Sequence, residues 1–168
     1  ISGKQCHAST PEQGVNAHRA AAHLIVALDE LHEIFAQSDP VFDPPISTFE
    51  PTKKEGNVPN INTIPGDDVF YLDCRVLPTI DLKDVEKEVK RMSGEVEKKF
   101  GVKIEMTYPQ YVAAAPPTPV DAPVVQAVRD ATEQLQAQGM ELIEFEMPPA
   151  YRQLVAQWGI TCGVECAR

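Results

Sequence analysis

The sequence predicts an α+β fold, on three observations. Residues 69–77, Val-Phe-Tyr-Leu-Asp-Cys-Arg-Val-Leu, alternate with period two, with Phe70, Leu72, Cys74 and Val76 on one face and Tyr71, Asp73 and Arg75 on the other. Leu82, Val85, Val89, Met92, Val96 and Phe100 then recur at spacings of three and four, opposite a face of Lys and Glu. Val102, Ile104, Met106 and Tyr108 return to alternation with Lys103, Glu105 and Thr107.

The earlier half repeats the pattern. Residues 1–8 form a short strand, closed by Ser9-Thr10-Pro11 and a turn at Gly14. A helix begins near Asn16, and Ala20, Ala21, Leu24, Leu28, Leu31 and Phe35 line one face of it. Asp39-Pro40 and Pro44-Pro45 end that helix. A second strand falls at 46–52, and Lys53 to Asn62 reads as a polar loop before the turn at Gly66-Asp67-Asp68. The order is β-α-β-β-α-β, the ferredoxin-like arrangement: a four-stranded antiparallel sheet with two helices on one face. That unit covers residues 1–112. A Pro-rich hinge follows at 113–120, and 121–168 holds a helix, to about Gln138, and a tail of uncertain character.

Charge and length exclude several roles. The 168 residues carry a net charge of -10, which repels phosphate backbones, so no nucleic-acid partner is expected. No apolar run approaches the ~20 residues needed to cross a bilayer, so no membrane partner is expected either. Four cysteines, Cys6, Cys74, Cys162 and Cys166, are too few and scattered for a disulfide scaffold, and a reducing cytoplasm is the expected location. Cys6 and Cys74 read as small core residues. The chain opens at Ile1 directly into a strand, which reads as a piece of something longer.

Three motifs carry chemistry. Gly3-Lys4-Gln5-Cys6-His7-Ala8-Ser9-Thr10-Pro11-Glu12-Gln13-Gly14-Val15-Asn16-Ala17, then Asn62-Thr63-Ile64-Pro65-Gly66, then Asp73-Cys74-Arg75-Val76-Leu77-Pro78 occur in that order. Together they resemble the lid, or dimerisation, domain of the dinuclear zinc exopeptidases and deacylases. That family includes acetylornithine deacetylase, succinyl-diaminopimelate desuccinylase, aminoacylase and glutamate carboxypeptidase.

The resemblance implies a lid that forms a homodimer and sits beside its own catalytic domain, acting on a small N-acyl amino acid or peptide. Two zinc (or cobalt) ions are implied for that catalytic domain. No metal ligands are implied in this chain, which alone should be inactive. His7 would reach the partner subunit's active site and stabilise the tetrahedral oxyanion, a contact worth roughly 2.7 to 4 kcal/mol. Arg75 would grip the substrate carboxylate with its planar fork, and Asn62 would add an amide contact. If the first strand lies beside the third, His7 and Arg75 can share the free sheet face.

Plainer readings stand beside these. Arg75 next to Asp73 reads equally as an exposed ion pair, and Asn62 as a turn former before Pro65. A free-standing ferredoxin-like module that binds an amino acid through Arg75, or a purely structural dimerisation domain, fits the same pattern. His18 and His23 are five apart and face different ways, which does not suit zinc, and His32 belongs to a solvated flank. Met140 to Arg168, with Trp158 and the Cys162-Gly163-Val164-Glu165-Cys166 spacing, departs from the family pattern and is expected to be poorly ordered.

Overall fold

The computed structural model describes residues 1–141 and 143. They contain strands β1 (Cys6–His7), β2 (Thr48–Lys54), β3 (Thr63–Ile64) and β4 (Phe70–Arg75), and helices α1 (Ala17–Ala27), α2 (Leu31–Ile34), α3 (Leu82–Phe100) and α4 (Pro123–Ala137). The chain divides into two units, Ile1–Pro117 and Thr118–Arg168.

In the first unit the helices start where their side chains can cap them. Asn16 accepts from the Arg19 amide at 2.9 Å at the head of α1, and Asp81 accepts from the Lys83 amide at 2.9 Å at the head of α3. α3 stops at Gly101, whose φ of 68° is open to glycine at little cost and whose N–H donates to the Glu97 carbonyl at 2.9 Å. The helix expected from Asn16 to Phe35 is instead α1, a 3-10 turn at Leu28–Glu30, and α2. In a 3-10 turn, side chains three apart eclipse, which keeps Leu28 and Leu31 together on the buried face.

Both helical stripes meet in one core. Ala20, Leu24, Leu28, Leu31 and Phe35 pack with Val85, Met92, Val96 and Val102 around Phe49 of β2. The Phe35 and Phe49 rings lie 5.8 Å apart, and His32 meets Phe49 edge-on at 5.5 Å. From β4, Phe70 and Leu72 join this core with Val76. Cys74, paired with Phe49 in the ladder, is exposed and Cys6 is half-buried, so neither is the core residue expected.

The expected four-stranded sheet is corrected to two antiparallel pairs among the described residues, β1 with β3 and β2 with β4. Competing partners for the backbone explain the difference. Lys4 exchanges both its N–H and its C=O with Val15, at 2.9 and 2.8 Å, which takes it out of any ladder. Ser2 bridges Asp67 on one side and Lys103 on the other. The strand expected at 102–108 ends there, because the Ile104 N–H donates to the Glu97 carboxylate of α3 at 2.6 Å. In the β2–β4 ladder the register shifts between Pro51 and Lys53, where proline has no N–H to donate.

In the second unit, α4 begins with Pro123 in its first turn, where a missing N–H costs nothing. The Cys162–Cys166 spacing, Trp158 and the tail from residue 144 lie outside the described residues.

Candidate functional site

Two residues of the first and second motifs meet through the shorter of the two sheets among the described residues. In the β1–β3 pair His7 stands opposite Thr63 and Cys6 opposite Ile64, and the Ala8 N–H donates to the Asn62 carbonyl at 2.8 Å. This brings the Asn62 side chain to the Nε2 edge of the His7 ring. The approach requires glycine at position 66, since a Cβ there would lie 2.7 Å from the Gln5 nitrogen. The Gly3 N–H donates to the Gly66 carbonyl at 2.7 Å and closes the same seam.

The two ring nitrogens of His7 have different neighbours. Ser9 surrounds Nδ1, with its hydroxyl at 2.7 Å and its backbone N–H donating at 3.2 Å. Nε2 lies 3.3 Å from the Asn62 side-chain nitrogen, Nδ2. A backbone N–H can only donate, so Nδ1 is an acceptor and the neutral ring carries its proton on Nε2. With that tautomer and this orientation of the Asn62 amide, Nε2–H and Nδ2–H are both donors, 3.3 Å apart between their nitrogens. Such a pair is completed by an oxygen that accepts from both. Without one, a half-turn of the amide would present its Oδ1 to Nε2–H instead.

Arg75, in β4, is not brought to this pair. Its side chain is 78% exposed, and Nε donates to Asp73 at 2.7 Å. No hydrogen bond joins it to His7 or Asn62 among the described residues. Its two terminal nitrogens hydrogen-bond to no described residue, which leaves a fork for a carboxylate.

A second polar cluster was not legible in the sequence. Asp68 is 0% exposed, and its Oδ1 takes the Lys54 ammonium at 2.8 Å while Oδ2 takes His18 Nδ1 at 2.9 Å and Asn57 Nδ2 at 3.0 Å. Burial pushes its carboxyl up, but hydrogen bonds from Lys54, His18 and Asn57 outweigh burial and hold it below the usual carboxylate range. The backbone of Asp68 is also tied to Ile1, through Asp68 N–H to the Ile1 carbonyl at 3.0 Å and the Ile1 amine to the Asp68 carbonyl at 2.9 Å. The cluster thereby fastens the loop that leads to Asn62, the head of α1, and the segment that leads to His7. Its other members lie 11 to 50 residues from Asp68 in sequence, and the only local signal was a second acid after Gly66.

Among the described residues no group of three or more His, Cys, Asp or Glu side chains is arranged to hold a metal ion. A groove between α3 and the 104–108 segment, lined by Glu86, Lys90, Ser93, Met106 and Tyr108, contains none of His7, Asn62 or Arg75.

The family model of the peptidase dimerisation domain matches residues 1–100, which include all three motifs. The chain belongs to this family. Two curated relatives are both described as uncharacterised metallohydrolases. The protein from Methanococcus maripaludis is 43% identical over 103 residues, covering 58% of this chain and 25% of its own. The protein from Methanocaldococcus jannaschii is 40% identical over 116 residues, covering 64% of this chain and 28% of its own. The chain thus spans about a quarter of the length of these relatives. A crystal structure from Burkholderia cenocepacia, assigned as an amidohydrolase/peptidase, shares the fold with a TM-score of 0.57 at 21% identity, over 86% of this chain and 32% of that one.

Proposed function

We propose that this dimerisation domain serves a metal-dependent amide hydrolase of the cytoplasm that acts on N-acyl amino acids or small peptides. In this reading two copies associate, and His7 of one enters the catalytic site of the other. The observation that carries the reading is the 3.3 Å approach of His7 Nε2 to Asn62 Nδ2, which becomes a pair of N–H donors once the Ser9 N–H fixes Nδ1 as the acceptor. An amide carbonyl under attack becomes a tetrahedral oxyanion, and donors already aimed at its oxygen stabilise the transition state more than the ground state. A histidine neutral at Nδ1 and protonated at Nε2 donates without having to gain a proton first.

Arg75 holds the substrate's carboxylate in this scheme, using its terminal nitrogens while Nε stays on Asp73. The metal ions, two zinc or cobalt, belong to a catalytic domain, where they polarise the carbonyl and activate water. The described residues do not fit them, and none is assigned a ligand role here. Acetylated and succinylated amino acids are the leading substrate classes, on the resemblance of the three motifs.

The test is His7→Ala in the longer protein that contains both domains. Turnover is expected to fall by about 10²- to 10³-fold, the usual effect of removing one oxyanion donor, while sedimentation still shows a dimer. Unchanged turnover would remove His7 from the chemistry and leave a structural dimerisation domain.

A further inference from the structure

The geometry points to Ser9 as the positioning residue that decides which nitrogen of His7 carries the proton. This inference rests on reading Nε2–H as the donor to substrate. A histidine can donate outward from Nε2 only if Nδ1 is the unprotonated nitrogen in the neutral ring. Two groups of Ser9 impose that condition. Its backbone N–H, 3.2 Å from Nδ1, cannot accept and so sets the direction. Its hydroxyl, at 2.7 Å, supplies the shorter bond and, with the direction set, donates as well.

The turn that follows β1 explains why Ser9 lies there. The His7 carbonyl accepts from the Thr10 N–H at 3.0 Å and from the Thr10 hydroxyl at 3.3 Å. This folds residues 7–10 back, so that the amide of Ser9 faces the ring two residues earlier. With the proton on Nδ1 instead, the ring N–H would confront the Ser9 N–H, and Nε2 would become an acceptor beside Asn62. An acceptor at that point repels an oxyanion.

The tautomer is readable directly, without activity, by nitrogen NMR of histidine-labelled chain at a pH where imidazoles are neutral. The urea-unfolded chain provides the unconstrained mixture of tautomers as reference. We expect His7 in the folded chain to show one form, with Nδ1 unprotonated and Nε2 protonated. Ser9→Pro, which removes the backbone N–H, should move it toward the unfolded-chain mixture, whereas Ser9→Ala, which keeps that N–H and loses only the hydroxyl, should retain the single form. The amide spectrum of each variant reports that the fold is kept. In the longer protein the same Ser9→Pro change should lower kcat about tenfold, in the range of lost positioning partners, with KM unchanged. A folded wild-type chain that shows the unfolded mixture, or a folded Ser9→Pro chain with an unaltered tautomer, would overturn the assignment of Ser9 while leaving the role of His7 to its own test. Normal turnover in His7→Ala would do the reverse.

Discussion

Asp68 and His7 are polar side chains whose backbones belong to one seam, since residues 1–8 run from the pairing with Asp68 to the pairing with Asn62 and Thr63. The fold treats them in opposite ways. Asp68 is buried, and each carboxylate oxygen is taken by a cation or a donor from elsewhere in the unit. His7 is exposed, its inner nitrogen is taken by its own turn, and its outer nitrogen faces a second donor. Folding uses up the hydrogen-bonding capacity of the first and leaves some of the second unspent. Unspent capacity at a rigidly held position is what binding and catalysis draw on, whereas a satisfied buried charge contributes to keeping that position rigid.

The contrast predicts a separation between stability and turnover. Asp68→Ala leaves Lys54, Asn57 and His18 facing a hole where a carboxylate was, and should cost about 3 kcal/mol, in the range for breaking a buried charge pair. His7→Ala should move the urea midpoint by less than about 0.5 kcal/mol, as befits an exposed site. Equal losses in a urea titration followed by circular dichroism would erase the distinction.

Acid should weaken the buried cluster. The Asp68 carboxyl is held below its ordinary range, so its contribution to stability is complete above about pH 4 and is lost as pH falls through the lowered value. Asp68→Asn, which titrates no proton, should therefore lose less stability than the wild type between pH 5 and 2, and parallel acid curves would break the account of this cluster. A comparably small effect on stability belongs to Arg75→Ala, which removes an exposed pair with Asp73 worth about 0 to 1 kcal/mol. A larger loss in the same titration would mean that Arg75 is structural.

Which of these features could be read from sequence follows from how local their causes are. The whole of α3, Leu82–Phe100, was legible because Asp81, the apolar stripe and Gly101 all lie within it or beside it. β4 was legible from its alternation, and the motifs singled out His7, Asn62 and Arg75 as candidates. The meeting of His7 with Asn62 was not, because β3 is two residues long and sits in a segment of turn formers. The extent of the sheet was misread for a related reason, since alternation at 102–108 says nothing about Glu97 taking the Ile104 amide. Asp68 was invisible as an anchor because no pattern in a single sequence ties position 68 to positions 18, 54 and 57.

The central claim, that His7 completes a catalytic site on the partner copy, is tested most directly by a mixed dimer. One subunit carries His7→Ala with an intact catalytic domain, and the other carries intact His7 with a catalytic domain disabled at its metal ligands. If His7 acts across the dimer, the mixture recovers one working site of two, about half the wild-type turnover per dimer, although each parent alone is nearly inactive. A mixed dimer as inactive as its parents would contradict the account and place the action of His7, if any, within its own chain.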